Sequence, residues 1–185
     1  DICPYFSPEF KVIPQYIIMK EGECMELNNR TTSFFIFILS GEITISFEQY
    51  TNRSVLENEM FFLPKNNCFK WKAVTQTVLI LTGYNATIFP CTSVRARILY
   101  KIKAGVKFDC RGVVMKDEVK VVVNQMKHYL ESGINCHHMY ILKHKELYLM
   151  FKHFYTYEEI IQIFYLILGS NPLFNERVLD NYLKV

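Results

Sequence analysis

The sequence predicts an α+β protein, with a β-barrel or sandwich over residues 1–112 followed by a helical region over residues 113–185. Two observations carry this. Near Met115 the spacing of apolar residues changes from the two-residue period of strands to the three- and four-residue steps of helices. Before that point, turn formers (Gly22, Asn28-Asn29, Gly41, Asn52, Asn58, Pro64 to Asn67, Asn85) recur roughly every 8 to 15 residues, the rhythm of a many-stranded sandwich or barrel. Composition agrees. Half of the 185 residues are apolar and 21% are charged, enough for a true core and far from the bias of disordered or collagen-like chains.

In the first half, Glu42 to Glu48 alternates cleanly, with Ile43, Ile45 and Phe47 on one face and Glu42, Thr44, Ser46 and Glu48 on the other. Phe69 to Ala73 repeats the pattern, Phe69, Trp71 and Ala73 opposing Lys70 and Lys72. Phe34 to Leu39 is apolar throughout, which predicts a strand covered on both faces. Gly41 permits a hairpin reversal after it, and Pro64 ends a strand at the rim, where a missing N–H does no harm.

In the second half, Asp117 to Ser132 carries Val119, Val122, Val123, Met126 and Leu130 on one stripe and stops at Gly133, a residue suited to the left-handed position past a helix end. A second helix is predicted from an Asn135 cap to about Tyr155. A third starts at the capping box Thr156/Glu159 and ends at Gly169. A fourth opens at Asn171-Pro172 and is still running at Val185, from which the natural protein is expected to continue.

Charge, targeting signals and cysteines exclude several function classes. The net charge of +3 falls wholly in residues 1–112 and is too weak to argue for a nucleic-acid binder. No apolar run approaches the ~18 residues of a membrane span, and no signal peptide is visible, although the chain starts at Asp1. The six cysteines are widely spaced, without a C-x-x-C pair, and read as reduced and mostly buried thiols. Asn29-Arg-Thr, Asn52-Arg-Ser and Asn85-Ala-Thr match the glycosylation pattern and give a secreted binding module its main support; the expected location is the cytoplasm.

Chemistry is sparse. All five histidines (His128, His137, His138, His144, His153) lie in the helical half, so a barrel metal site built on imidazoles lacks its ligands. Cys136, His137 and His138 diverge by about 100° per residue, and His137 and His144 are separated by about 10 Å along a helix, so no metal is expected there either. Strained serine or cysteine turns, phosphate loops and dinucleotide fingerprints are missing. Glu21, Glu23 and Glu26, and Glu57 and Glu59, sit near turns and read as solvated carboxylates. The basic run Arg95 to Arg111 places Arg95, Arg97, Lys101 and Lys103 on one face of an extended chain; an anion contact and a solvated strand face are its two readings, the second favoured. Phe37, Ile45, Phe47, Phe62 and Trp71 are predicted to line the barrel interior, as core or as the wall of an effector pocket. The Val119, Val122, Val123, Met126 and Leu130 stripe has room to serve a dimer seam or the protomer's own core.

The segments Phe37-Ile-Leu-Ser-Gly-Glu-Ile-Thr-Ile, Leu56-Glu-Asn-Glu-Met-Phe-Phe-Leu-Pro-Lys and Phe69-Lys-Trp-Lys resemble the amino-terminal cupin barrel of AraC-type transcriptional regulators of Bacteroides-like bacteria. Tyr129 to His138, Lys143 to Leu147, Tyr155 to Glu159 and Val178 to Val185 resemble the helical linker of the same regulators. The resemblance implies a double-stranded β-helix barrel that senses a small effector and about four linker helices that help form a homodimer. It also implies a further domain with two helix-turn-helix units that reads operator DNA and lies outside these residues. No cofactor is implied. A stand-alone metal-independent cupin enzyme or a small-molecule binding module is the alternative.

Overall fold

The computed structural model describes residues 13–29, 31–84 and 109–168. Eight strands follow one another closely: β1 (Gln15–Met19), β2 (Cys24–Asn29), β3 (Ser33–Ser40), β4 (Glu42–Phe47), β5 (Tyr50–Leu56), β6 (Glu59–Leu63), β7 (Asn67–Ala73) and β8 (Thr77–Tyr84). A short β9 (Val113–Val114) and three helices complete the described chain: α1 (Asp117–Glu131), α2 (His137–Phe154) and α3 (Tyr157–Leu168). The fourth helix expected from Asn171 lies outside the described residues.

The strands form a five-stranded sheet in the order β1-β8-β3-β6-β9 and a four-stranded sheet in the order β2-β7-β4-β5. All pairings are antiparallel and the first eight strands nest: β4 with β5, β3 with β6, β2 with β7, β1 with β8. A long hairpin rolled on itself has this pattern, which is the eight-stranded jelly roll. Two antiparallel sheets with helices on one side fit a cupin-type sandwich.

The pattern assigns Gly41 a different task from a hairpin turn. It joins β3 and β4, which belong to opposite sheets, so the chain crosses the sandwich there. Its φ is +86°, and a Cβ would lie 2.4 Å from the Gln76 carbonyl oxygen and 2.9 Å from Thr77 Cα. Only glycine meets both demands. Local sequence shows a reversal but not which strand the chain rejoins, because the β3–β6 and β4–β7 pairings are distant in sequence.

Both faces of the five-stranded sheet are covered, which explains the unbroken apolar run of β3. Ile36 and Ile38 join Ile43, Ile45, Phe69 and Trp71 between the sheets. Phe35 and Phe37 face outward and join Met60, Phe62 and Ile80 beneath the helices. Phe35 is the hub of that second layer, with ring centroids at 5.0 Å from Phe62, 5.8 Å from Phe151 and 6.1 Å from Phe164. Helices and sheet therefore share one core. β9, which pairs with β6 through Glu59↔Val114 and Met60↔Val113, lies on the helical side of the boundary read at 112/113.

The helix ends follow local chemistry. Gly133 closes α1 at φ +73°. The Thr156 N–H donates to Glu159 Oε2 at 2.8 Å and the Glu159 N–H to Thr156 Oγ1 at 3.3 Å, the reciprocal capping box at the start of α3. α2 departs by one position: its N-cap is Cys136 rather than Asn135, and no side chain caps it.

Candidate functional site

Between the two sheets, Trp71 on β7 lies across from Ile45 on β4 and Met25 on β2. Phe47 stacks obliquely on Phe69 with ring centroids 4.7 Å apart. The layer is dense, with Ile43, Ile45 and Phe69 fully buried and Trp71 only 2% exposed. One atom is out of keeping with this apolar surrounding: the indole Nε1–H of Trp71 is buried without a hydrogen-bond partner. An unmet buried donor costs about 1–3 kcal/mol, so its presence asks for an explanation.

The five residues expected to line one interior divide between two layers. Ile45, Phe47 and Trp71 lie between the sheets, whereas Phe37 and Phe62 lie on the far side of the five-stranded sheet under the helices. On β4 and β7, polar neighbours fix the phase of alternation; β3 and β6 are apolar on both faces, so alternation alone gives them none. The inward residues of β6 are Phe61 and Leu63. A small cavity of about 10 Å³, room for one water, lies instead between the sheet and α3, lined by Met60, Phe62, Val113 and Ile163 with Arg111 at its edge.

The α1 stripe is also taken up within the protomer. Val119, Val122, Val123 and Met126 are at most 2% exposed, and Leu130 packs partly buried on the same core. They therefore serve the protomer's own core. The larger exposed apolar side chains of the helices are Val121 on α1 and Leu142, Leu149 and Phe154 on α2.

Two of the carboxylates near turns are engaged by backbone N–H groups. Glu23 Oε2 accepts from the Lys20 N–H at 2.8 Å and Glu59 Oε2 from the Leu56 N–H at 2.9 Å. Glu26 accepts from the Cys68 thiol at 3.1 Å and pairs loosely with Lys70 at 3.8 Å. The cysteines are less buried than expected: Cys24 and Cys68 are exposed, Cys136 is intermediate and Cys110 buried, all four free; Cys3 and Cys91 lie outside the described residues. Burial pushes the Cys110 thiol up to about 12, so it is inert at neutral pH. Of the basic run, residues 95–108 lie outside the described residues; Arg111 pairs with Asp109 at 3.1 Å on the surface. Among the described residues no three His, Cys, Asp or Glu side chains group as metal ligands, and no helix is long and apolar enough to cross a membrane.

Sequence reasoning missed one polar pair. His144 on α2 is buried, and its Nε2 lies 2.8 Å from the Thr82 hydroxyl on β8. Burial, reinforced by His137, holds its pKa down to about 4. The signal was present: His137, Tyr140, His144, Leu147 and Phe151 step by three and four along the buried face of α2, which marks His144 as interior.

No protein-family model matches the chain, and no curated protein does. Solved structures with partial likeness include the cupin domain of Cnp3 from Schizosaccharomyces pombe, at 19% identity over 45% of this chain and 59% of that one, with a TM-score of 0.39. The conserved protein SPY1581 from Streptococcus pyogenes, of unknown function, matches at 19% identity over 39% of this chain and 62% of that one, with a TM-score of 0.36. An oxalate decarboxylase from Bacillus subtilis matches at 16% identity over 42% and 22%, with a TM-score of 0.34. The chain thus spans about six tenths of the first two. Scores this low leave the fold to rest on the nested strand pairing itself.

Proposed function

We propose that this chain is the effector-sensing and dimerisation part of an AraC-type transcriptional regulator, with no catalytic activity of its own. The observation that carries the sensing part is the unmet Trp71 N–H between the sheets. A small molecule with an apolar body and a hydrogen-bond acceptor would satisfy that donor and replace apolar contacts already present around it. Such a ligand acts only through different affinities for two arrangements of sandwich and helices. The shared core beneath α1–α3 gives a displaced strand a direct route to the helices.

Several features support a binding module over an enzyme. The strands carry no histidine, so the imidazole-ligated metal chemistry of cupin enzymes lacks its donors. The glutamates near the turns at Glu23 and Glu59 are engaged by backbone N–H groups. The proposed protein works in the cytoplasm as a homodimer, and its operator contacts belong to a helix-turn-helix domain that is no part of these residues. Its dimer contact uses a surface other than the α1 stripe.

Trp71 is the single tryptophan of the chain, so its emission reports on the inter-sheet layer alone. A library of small amphiphiles is screened for a rise in Tm together with a change in Trp71 emission. At a concentration of about 100 times Kd, a true effector stabilises by about 2.7 kcal/mol. The expected result is coincident signals in the unaltered protein and, followed by the rise in Tm alone, an affinity weaker by about tenfold or more in Trp71→Phe, which removes both the donor and the emission. Ligands that raise Tm with Trp71 emission unchanged, or that bind Trp71→Phe equally well, place the pocket elsewhere and overturn this reading.

A further inference from the structure

The layer between the five-stranded sheet and the helices is mainly apolar, and within it Thr82 meets His144. Thr82 stands opposite Phe35 in the β3–β8 ladder, one alternation from Ile80, and is fully buried. Its hydroxyl is 2.8 Å from His144 Nε2. The second ring nitrogen, Nδ1, is also buried and has no hydrogen-bond partner. A neutral imidazole has one N–H, and the threonine hydroxyl suits either tautomer because it both donates and accepts. An imidazolium has two. Its Nδ1–H would point into apolar surroundings with nothing to receive it.

The groups around this layer offer no compensation. On α2 the same buried stripe carries His137 and Tyr140, whose hydroxyl is already donated to the Ile134 carbonyl at 2.7 Å. Lys143 of the same helix pairs with Glu146 at 2.8 Å, away from the stripe. α1 contributes Val119, Val122, Val123 and Met126, while its Lys127 sits over the Tyr16 ring of β1 at 5.8 Å. The sheet contributes Phe35, Phe37 and Ile80 and, two residues on from Thr82 on the same face of β8, the neutral phenol of Tyr84, whose ring lies 5.5 Å from Phe35. Among the described residues no Asp or Glu is buried, and the titratable neighbour that acts on the ring, His137, opposes its protonation.

We propose that the Thr82–His144 pair is a proton-sensitive latch, which holds α2 on the five-stranded sheet while His144 is neutral and releases it on protonation with the two-sheet sandwich intact. The sandwich has its own core, made of the inter-sheet residues, and does not depend on α2 for that layer. The latch stands on the sheet–helix geometry alone and is independent of the effector reading. A released ring returns to the ordinary histidine value near 6.5, whereas burial and His137 hold the latched ring at about 4. Opening of α2 therefore rises as pH falls through that window, by up to about tenfold per pH unit for one proton.

Amide hydrogen exchange of the 185-residue chain between about pH 7 and 4.5 tests this, read as protection factors corrected for intrinsic exchange. The expected result is that amides of α2 lose protection by up to about tenfold per pH unit below 6.5, while amides of β4 and β7 keep theirs. His144→Leu should flatten the α2 profile. Thr82→Val should raise α2 opening at pH 7 while retaining the slope. A flat α2 profile in the unaltered protein, simultaneous loss in α2 and in β4 and β7, an unchanged slope in His144→Leu, or unchanged opening in Thr82→Val overturns the proposal. Should His144→Leu fail to fold, the His144 ring titration in the unaltered protein decides. A ring that titrates near 6.5 with α2 fully protected contradicts the latch, and one that titrates lower, in step with α2 opening, supports it.

Discussion

Tyr155 ties three elements together through one oxygen. Its hydroxyl donates to the Val114 carbonyl of β9 at 3.1 Å and accepts from the Lys116 N–H at 2.8 Å, from its place between α2 and α3. A phenolate keeps the acceptor role but loses the donor one, and it is buried; burial accordingly pushes Tyr155 up to about 12. A folded value above the unfolded value of about 10 means stability that is fully present below pH 10 and lost as pH rises through 12, about 3 kcal/mol in all. His144 works in the opposite direction. Its folded value lies below the unfolded 6.5, so its contribution is present above 6.5 and is lost as pH falls toward 4. Urea melts across pH are therefore expected to show weakening on both flanks. Tyr155→Phe should lower stability by about 1–3 kcal/mol at pH 7, because both backbone partners are left unmet, and should abolish its share of the alkaline loss. An alkaline flank unchanged in Tyr155→Phe would remove Tyr155 as its source.

At the scale of elements, what the sequence reveals depends on whether a strand or helix has a polar side. β4 and β7 alternate apolar and polar residues, and the structure buries Ile43, Ile45, Phe47, Phe69, Trp71 and Ala73 as that alternation predicts. The Thr156/Glu159 box and Gly133 mark helix ends by chemistry local to the chain, and both stand where expected. β3 and β6 carry no such mark, so alternation leaves the layer of Phe37 and Phe62 open, and the structure places both under the helices. Gly41 shows the same limit in another form: its φ was legible, the sheet it leads to was not. The α1 stripe raises a separate question, since one apolar face fits a dimer seam or an internal core equally well by periodicity. Its burial gives a concrete expectation. Val122→Asp should place an unpaired charge in the core and lower stability by several kcal/mol, about 3 or more, at every protein concentration. A Tm loss that disappears at high protein concentration, accompanied by dissociation to a folded monomer, would restore Val122 to an interface.

For the whole molecule, the central fact is that one sheet serves two layers. Its inner face closes the sandwich over Trp71, and its outer face carries the helices through Phe35, Phe37, Met60, Phe62 and Ile80. A strand that moves to admit a ligand on one side moves the helices' support on the other, which is the mechanical basis of the regulator reading. Phe35→Ala, at the hub of the outer layer, is expected to cost about 3–5 kcal/mol and to loosen the helices more than the sandwich. Helix and inter-sheet amides that lose protection equally would mean that the two layers melt as one unit. The regulator reading rests chiefly on the resemblance of β3–β4, β6, β7 and the helices to AraC-type regulators, because among the described residues no constellation of reactive side chains announces a chemistry of its own. The most direct measurement is therefore made on the full-length native protein: its affinity for the DNA upstream of its own gene and the neighbouring genes, with and without a compound that shifts Trp71 emission. The regulator reading predicts sequence-specific binding, about 10³-fold or more tighter than to unrelated DNA at the same salt, with an affinity that the compound changes. Equal affinity for related and unrelated DNA, or no binding at all, would contradict it.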